Sequence, residues 1–114
     1  MNLEALIAGP KLDPFSFEAL HTNKFVLIEF STSWNGASHI MAPVIRELIQ
    51  QHHDDIKIFK VDIDSESDIA KKLNVTKAPC FQIYHEGKLI DQIEGIVSKK
   101  VFLNKIKILL RNYN

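Results

Sequence analysis

The chain has 114 residues, 46% of them hydrophobic, enough for one domain spanning 1–114 with one ordinary core. Lys and Arg number 14 and so do Asp and Glu, so no net field directs the chain to nucleic acid, an anionic membrane or an acidic substrate. Cys80 is the lone cysteine, which excludes an intrachain disulfide and suits a reducing, cytoplasmic location.

Residues 1–12 read as an N-terminal extension or a short first strand. Glu4 lies inside the apolar stretch and Gly9-Pro10 breaks it, so it is too short for a secretory signal. No apolar run approaches the ~20 residues that span a bilayer. Asp13-Pro14 reads as an N-cap with proline at the first helical position, opening a short helix that ends near Asn23. Phe25 to Ser31 is apolar, aromatic and β-branched almost throughout, the pattern of a strand covered on both faces. From about Gly36 to His53, Met41, Val44, Ile45, Leu48 and Ile49 recur at helical spacing, and Pro43 is expected to kink that helix. Ile56 to Ile63 is a second strand. Ser65 to Leu73 is a short helix with Ser65 available as its cap. Cys80 to Tyr84 and Lys88 to Glu94 form a hairpin around Glu86-Gly87, with glutamate an unfavoured first turn residue. Ser98 caps a last helix, 99–111, with a wide apolar stripe of Phe102, Leu103, Ile106, Leu109 and Leu110. Repeats and low-complexity tracts are absent. Such an alternation with short loops argues an α/β sandwich around a mixed sheet.

Several stretches carry a family resemblance. "FVLIEFSTSWNGAS" is similar to the strand and W-C-G-P-C turn of thioredoxins, Pro43 matches their helix-kinking proline, and "KAPCFQIYHEGKLIDQIEG" resembles their cis-proline loop, hairpin and final glycine. The resemblance spans roughly residues 13–111. It implies the thioredoxin fold, a central mixed β-sheet flanked by helices on both faces, and a cis Ala78-Pro79 bond. Trp34, Gly36, Pro79, Gly87 and Gly95 stand at family positions, but Asn35 and Ser38 replace both cysteines and Ala37 replaces the proline between them.

That departure falls on the chemistry. A thiolate is the attacking species in disulfide exchange, and a helix N-terminus favours it because unpaired N–H groups and the macrodipole attract an anion. Asn35 cannot become one. Resolution of a mixed disulfide needs a second sulfur, whereas the Ser38 hydroxyl neither ionises near neutral pH nor forms S–S bonds. Asn35 instead suits an N-cap, accepting the N–H of Ala37 or Ser38. Ser38 as a nucleophile with His39 as base fits poorly, since adjacent helical residues point about 100° apart and no orienting acid is evident.

Glu29 sits mid-strand in a doubly covered position, where a carboxylate must be neutral, paired or reach water. The resemblance makes it the buried acid that serves the second thiol, and makes Lys60 its neighbour. Three readings stand for it: a structural ion pair or water-bridged acid with Lys60, a general base for other chemistry, or a side chain that reaches solvent. Cys80, directly after Pro79, reads as a buried small hydrophobe. Its functional alternative is a single-thiol redox site, which requires exposure and a lowered pKa. Histidines at 52 and 53 are adjacent and cannot chelate from one helix face, so no metal site is expected, nor any cofactor. Glycines 9, 36, 87 and 95 are isolated and make no phosphate loop.

The resemblance also implies a peptide groove formed by Trp34, Gly36, Ala37, Ala78, Pro79, Gly95 and Ile96, with Ala78 offering backbone groups for strand-like pairing. The expected function is a redox-inactive, peptide-binding or protein-binding adaptor or holdase-like module, monomeric or weakly dimeric, with no nucleic-acid or membrane partner. The enzyme alternative is a monothiol oxidoreductase or thiol transferase using Cys80. A third reading is a structural domain with no groove partner, or a chain whose cysteines were removed by mutation. Val101 and Ile108 of the last helix read as part of a broad core face, with a partner seam as the other option.

Overall fold

The computed structural model describes residues 25–32 and 36–113, apart from the side chain of Ser38. The expected helix at 13–23, the first strand or extension at 1–12, and the side chains of Trp34, Asn35 and Ser38 lie outside the described residues. Among the described residues four strands run in the order β2-β1-β3-β4: β1 is Phe25–Ser31, β2 Ile56–Asp62, β3 Cys80–His85 and β4 Lys88–Glu94. β1 and β2 are parallel, while β1 with β3 and β3 with β4 are antiparallel, so the sheet is mixed. The helices are α1 (Gly36–Ile40), α2 (Ala42–His52), α3 (Ser67–Lys72) and α4 (Lys99–Asn112).

Alternation along β1 divides two cores. Phe25 and Leu27 face α2 and α4, packing with Met41, Val44, Leu48, Phe81, Phe102 and Ile106. Val26, Ile28 and Phe30 face α3, packing with Phe59, Val61, Ile69, Val75 and Cys80. A strand buried on both sides must be apolar at every position, which explains a run such as FVLI. Burying side chains of this size stabilises by roughly 1.5–3 kcal/mol each before the entropy of ordering is subtracted.

Three local features differ from expectation. The single helix at 36–53 is two, broken at Met41, which is the N-cap of α2 with Pro43 at its first turn. Proline has no N–H to give the carbonyl four residues back, so restarting the helix ahead of it leaves no donor missing. The break has a packing consequence: Met41 is fully buried and Ile40 is 58% exposed, although in a continuous helix Ile40 would lie one turn before Val44 on the core face. Second, α3 begins at Ser67, after Glu66, with no side-chain cap. Residues 64 and 65 instead turn against Asp62, whose Oδ1 accepts the N–H groups of Asp64 (2.9 Å) and Ser65 (3.2 Å). Third, Val101 and Ile108, expected to widen the core face of α4, are 55% and 44% exposed and lie outside it.

The other ends follow the sequence closely. Ser98 caps α4, its Oγ accepting the Val101 N–H at 3.2 Å. Glu86 and Gly87 both have positive φ, 50° and 85°, as a two-residue hairpin turn matched to the strand twist requires. The strain falls on Glu86. A bulge opposite Ile83 and Tyr84 absorbs one extra β4 residue.

Candidate functional site

Register places the site's segments at one end of the sheet. Phe30 pairs with Cys80, and Cys80 with Glu94. The chain leaving β1 toward α1, the chain entering β3 through Ala78 and Pro79, and the chain leaving β4 through Gly95 and Ile96 therefore emerge side by side. Ala78-Pro79 is a cis peptide, and the Pro79 carbonyl accepts the Gly95 N–H at 2.9 Å. Gly95 has φ of 77°, a backbone that glycine adopts without penalty. Gly36 opens α1, and Ala37 and Ala78 are half-buried. Ile96 is 53% exposed. Ile40, which sequence spacing assigns to no site, is the last residue of α1 and is also exposed.

Glu29 is 4% exposed and pairs in register with Lys60 on one side and Phe81 on the other. Among the described residues it makes no ion pair within bonding distance. Burial pushes its carboxyl pKa up, and the positive charge of Lys60 opposes that only in part. Lys60 itself is exposed. Of the three readings of Glu29, the solvent-reaching one is corrected by its burial, and direct pairing is replaced by a field acting between neighbouring strands. A carboxyl whose folded pKa is raised binds its proton more tightly when folded. Its contribution to stability is therefore fully present below the ordinary value and is lost as pH rises through the folded value. Glu29→Gln should stabilise the fold at pH 7, by an amount on the order of 1–3 kcal/mol. Below pH 4 the gain should vanish. Denaturant unfolding at the two pH values tests this, and equal stability of variant and wild type at pH 7 would show a charge already well compensated.

Cys80 lies on the other face of the sheet, with Phe30 and Val75, so Glu29 cannot act on it. It is 3% exposed, and burial together with the Glu94 carboxylate pushes the thiol pKa up to about 11. Thiolate chemistry needs the opposite environment. Gln82, absent from the sequence-based candidates, is buried on that face and fully engaged: Nε2 donates to the Leu73 carbonyl (2.8 Å) and to Gln92 Oε1 (3.0 Å), and Oε1 accepts the Tyr84 hydroxyl at 2.6 Å. A polar amide two residues after a buried cysteine on a central strand was the available signal.

His52 Nδ1 stands 3.5 Å from Asp55, and His53 Nε2 3.4 Å from Asp54, closing the helix end. Among the described residues no three metal-ligating side chains cluster, and no helix is long and apolar enough to cross a membrane.

Comparison with known proteins agrees with the geometry. The thioredoxin family profile matches residues 11–108. Thioredoxin 1 of Synechococcus elongatus is 30% identical over 92 residues, covering 81% of this chain and 86% of that one. Thioredoxin H2 of Arabidopsis thaliana is 35% identical over 88 residues, covering 77% and 64%. The crystal structure of mitochondrial thioredoxin 3 from Saccharomyces cerevisiae, in its oxidised form, superposes with a TM-score of 0.80 at 29% identity, over 91% of this chain and 98% of that one.

Proposed function

Because the chain belongs to the thioredoxin family yet has Asn35 and Ser38 where the family turn carries thiols, we propose that it is a redox-inactive member that binds extended peptide segments of protein partners at the old substrate end of the sheet. The observation that carries this reading is a kept scaffold around a turn without sulfur. In support, the Pro79 carbonyl accepts the Gly95 N–H and Ile96 is exposed just beyond β4, while the one remaining thiol is buried with its pKa raised. Nothing at that end can attack a disulfide. What it offers is the exposed apolar Ile96 beside the half-buried backbone of Ala78 and Gly95. A chain with a single cysteine fits a reducing compartment, in which such recognition needs no redox partner.

Capture from native lysate tests the proposal. Partners held by the groove should survive washing in dithiothreitol, because no mixed disulfide retains them, and should be lost with Ile96→Asp, which puts a charge into the apolar rim. Release of the bound proteins by dithiothreitol, prevented by Cys80→Ser, would sink this reading in favour of a monothiol enzyme.

A further inference from the structure

Leu73 ends α3, and the chain from Asn74 to Pro79 then crosses to the start of β3. Two backbone bonds hold the beginning of this loop, Asn74 N–H to the Lys71 carbonyl (3.1 Å) and Val75 N–H to the Ala70 carbonyl (2.8 Å). At its end the Pro79 carbonyl accepts the Gly95 N–H. Thr76 and Lys77 between them are exposed. Against the loop lies an open pocket of about 160 Å³, lined by Thr76, Lys77, Cys80, Gln92 and Glu94 among others. The Gln82 side chain reaches from the middle of β3 to the Leu73 carbonyl at the loop's root, and the same nitrogen reaches Gln92 on β4. Gln92 in turn donates to Glu94 Oε1 at 2.7 Å. One buried amide thus ties the end of α3 to the two strands that carry Pro79 and Gly95.

We propose that Gln82 is a positioning residue, a brace that holds the 74–79 loop down on β3, fixing the Pro79 wall of the binding end and keeping Cys80 sealed beneath it. The loop's role as a wall rests on the function proposed above; the brace does not. Its two amide donors and its acceptor are all used, so any apolar substitute leaves the Leu73 carbonyl without its side-chain donor and the Tyr84 hydroxyl without its acceptor, a loss felt first at the loop root. The brace is Nε2 to Leu73, and Tyr84 contributes only to the other end of the amide.

Cys80 is the reporter. In the wild-type protein its alkylation by iodoacetamide at pH 8 should be slow, and Gln82→Met, which keeps side-chain length, should raise the rate at least tenfold. That rate should depend weakly on sub-denaturing urea, as local opening does, and exchange of the Thr76 to Ala78 amides should quicken with it. Tyr84→Phe keeps both Nε2 bonds and should leave the labelling rate within twofold of wild type. An unchanged rate in Gln82→Met, or a rise whose urea slope equals that of global unfolding, overturns the brace. So does a Tyr84→Phe variant that labels as fast as Gln82→Met. Captured partners bound equally well by a Gln82→Met variant that labels fast would leave the brace standing and count against the groove.

Discussion

Restoring two cysteines, Asn35→Cys with Ser38→Cys, is expected to convert a chain with no measurable disulfide reductase activity into one that accelerates dithiothreitol-driven reduction of insulin at least tenfold over a no-protein control. The wild-type chain should show no acceleration at all. The size of the contrast follows from the chemistry: exchange proceeds by thiolate attack and thiolate release, and a turn with an amide and a hydroxyl supports neither step. On the proposed reading, the features that would support the restored thiols are retained. Position 35 directly precedes α1 in the chain, Pro79 and Gly95 are joined at the adjoining strand ends, and Glu29 is a buried acid one residue in from the Phe30 to Cys80 pair, with its pKa raised. Burial makes that carboxyl a better proton acceptor than an exposed one, which is the direction release of a second thiol's proton requires. Cys80 contributes nothing to the expected activity, since it faces the α3 side of the sheet. Cys80→Ser in the restored variant should therefore leave the rate unchanged. Wild-type activity that disappears with Cys80→Ser would instead establish the monothiol alternative.

How much of this was legible beforehand differs by element and for physical reasons. β1 announced itself because burial on both faces permits no alternation, and FVLIEFS has none until Glu29. The hairpin was legible from Gly87 and the α4 cap from Ser98, each a local residue meeting a local backbone demand. The α1 and α2 break was not. Pro43 signals a disturbance, but whether the helix bends or restarts is decided by whether Met41 or Ile40 fits the space above Leu27 and Phe81, which is tertiary packing. The cap of α3 was misread for a related reason: Ser65 is a good cap in isolation, but the Asp62 carboxylate accepts its N–H and draws it into the turn ahead of the helix. Gln82 was hidden because FQIYH reads as an unbroken buried run. Only the register, which puts Gln82 opposite Gln92 and Ile28, reveals that its amide has partners. The candidate site itself was named by the family resemblance, while the side on which Cys80 lies came from the pairing of strands.

Trp34→Ala should weaken binding of captured partners about thirtyfold, and isothermal titration with a purified partner measures it. An aromatic anchor at the centre of an interface typically accounts for at least ~2 kcal/mol on truncation, and ~1.4 kcal/mol is a factor of ten in affinity. Trp34 is the chain's single tryptophan and in sequence it lies between the end of β1 and the start of α1, two residues before the helix. An anchor for a partner sits at the surface, so this reading of Trp34 makes it expendable to the core. Unfolding midpoints of Trp34→Ala and wild type should consequently agree to within the ordinary spread of surface substitutions, about 0.5 kcal/mol. Weakened binding with intact stability separates an anchor from a core residue, and binding undiminished by the substitution would move the interaction surface away from the turn, with the exposed Val101 and Ile108 face of α4 the next place to mutate.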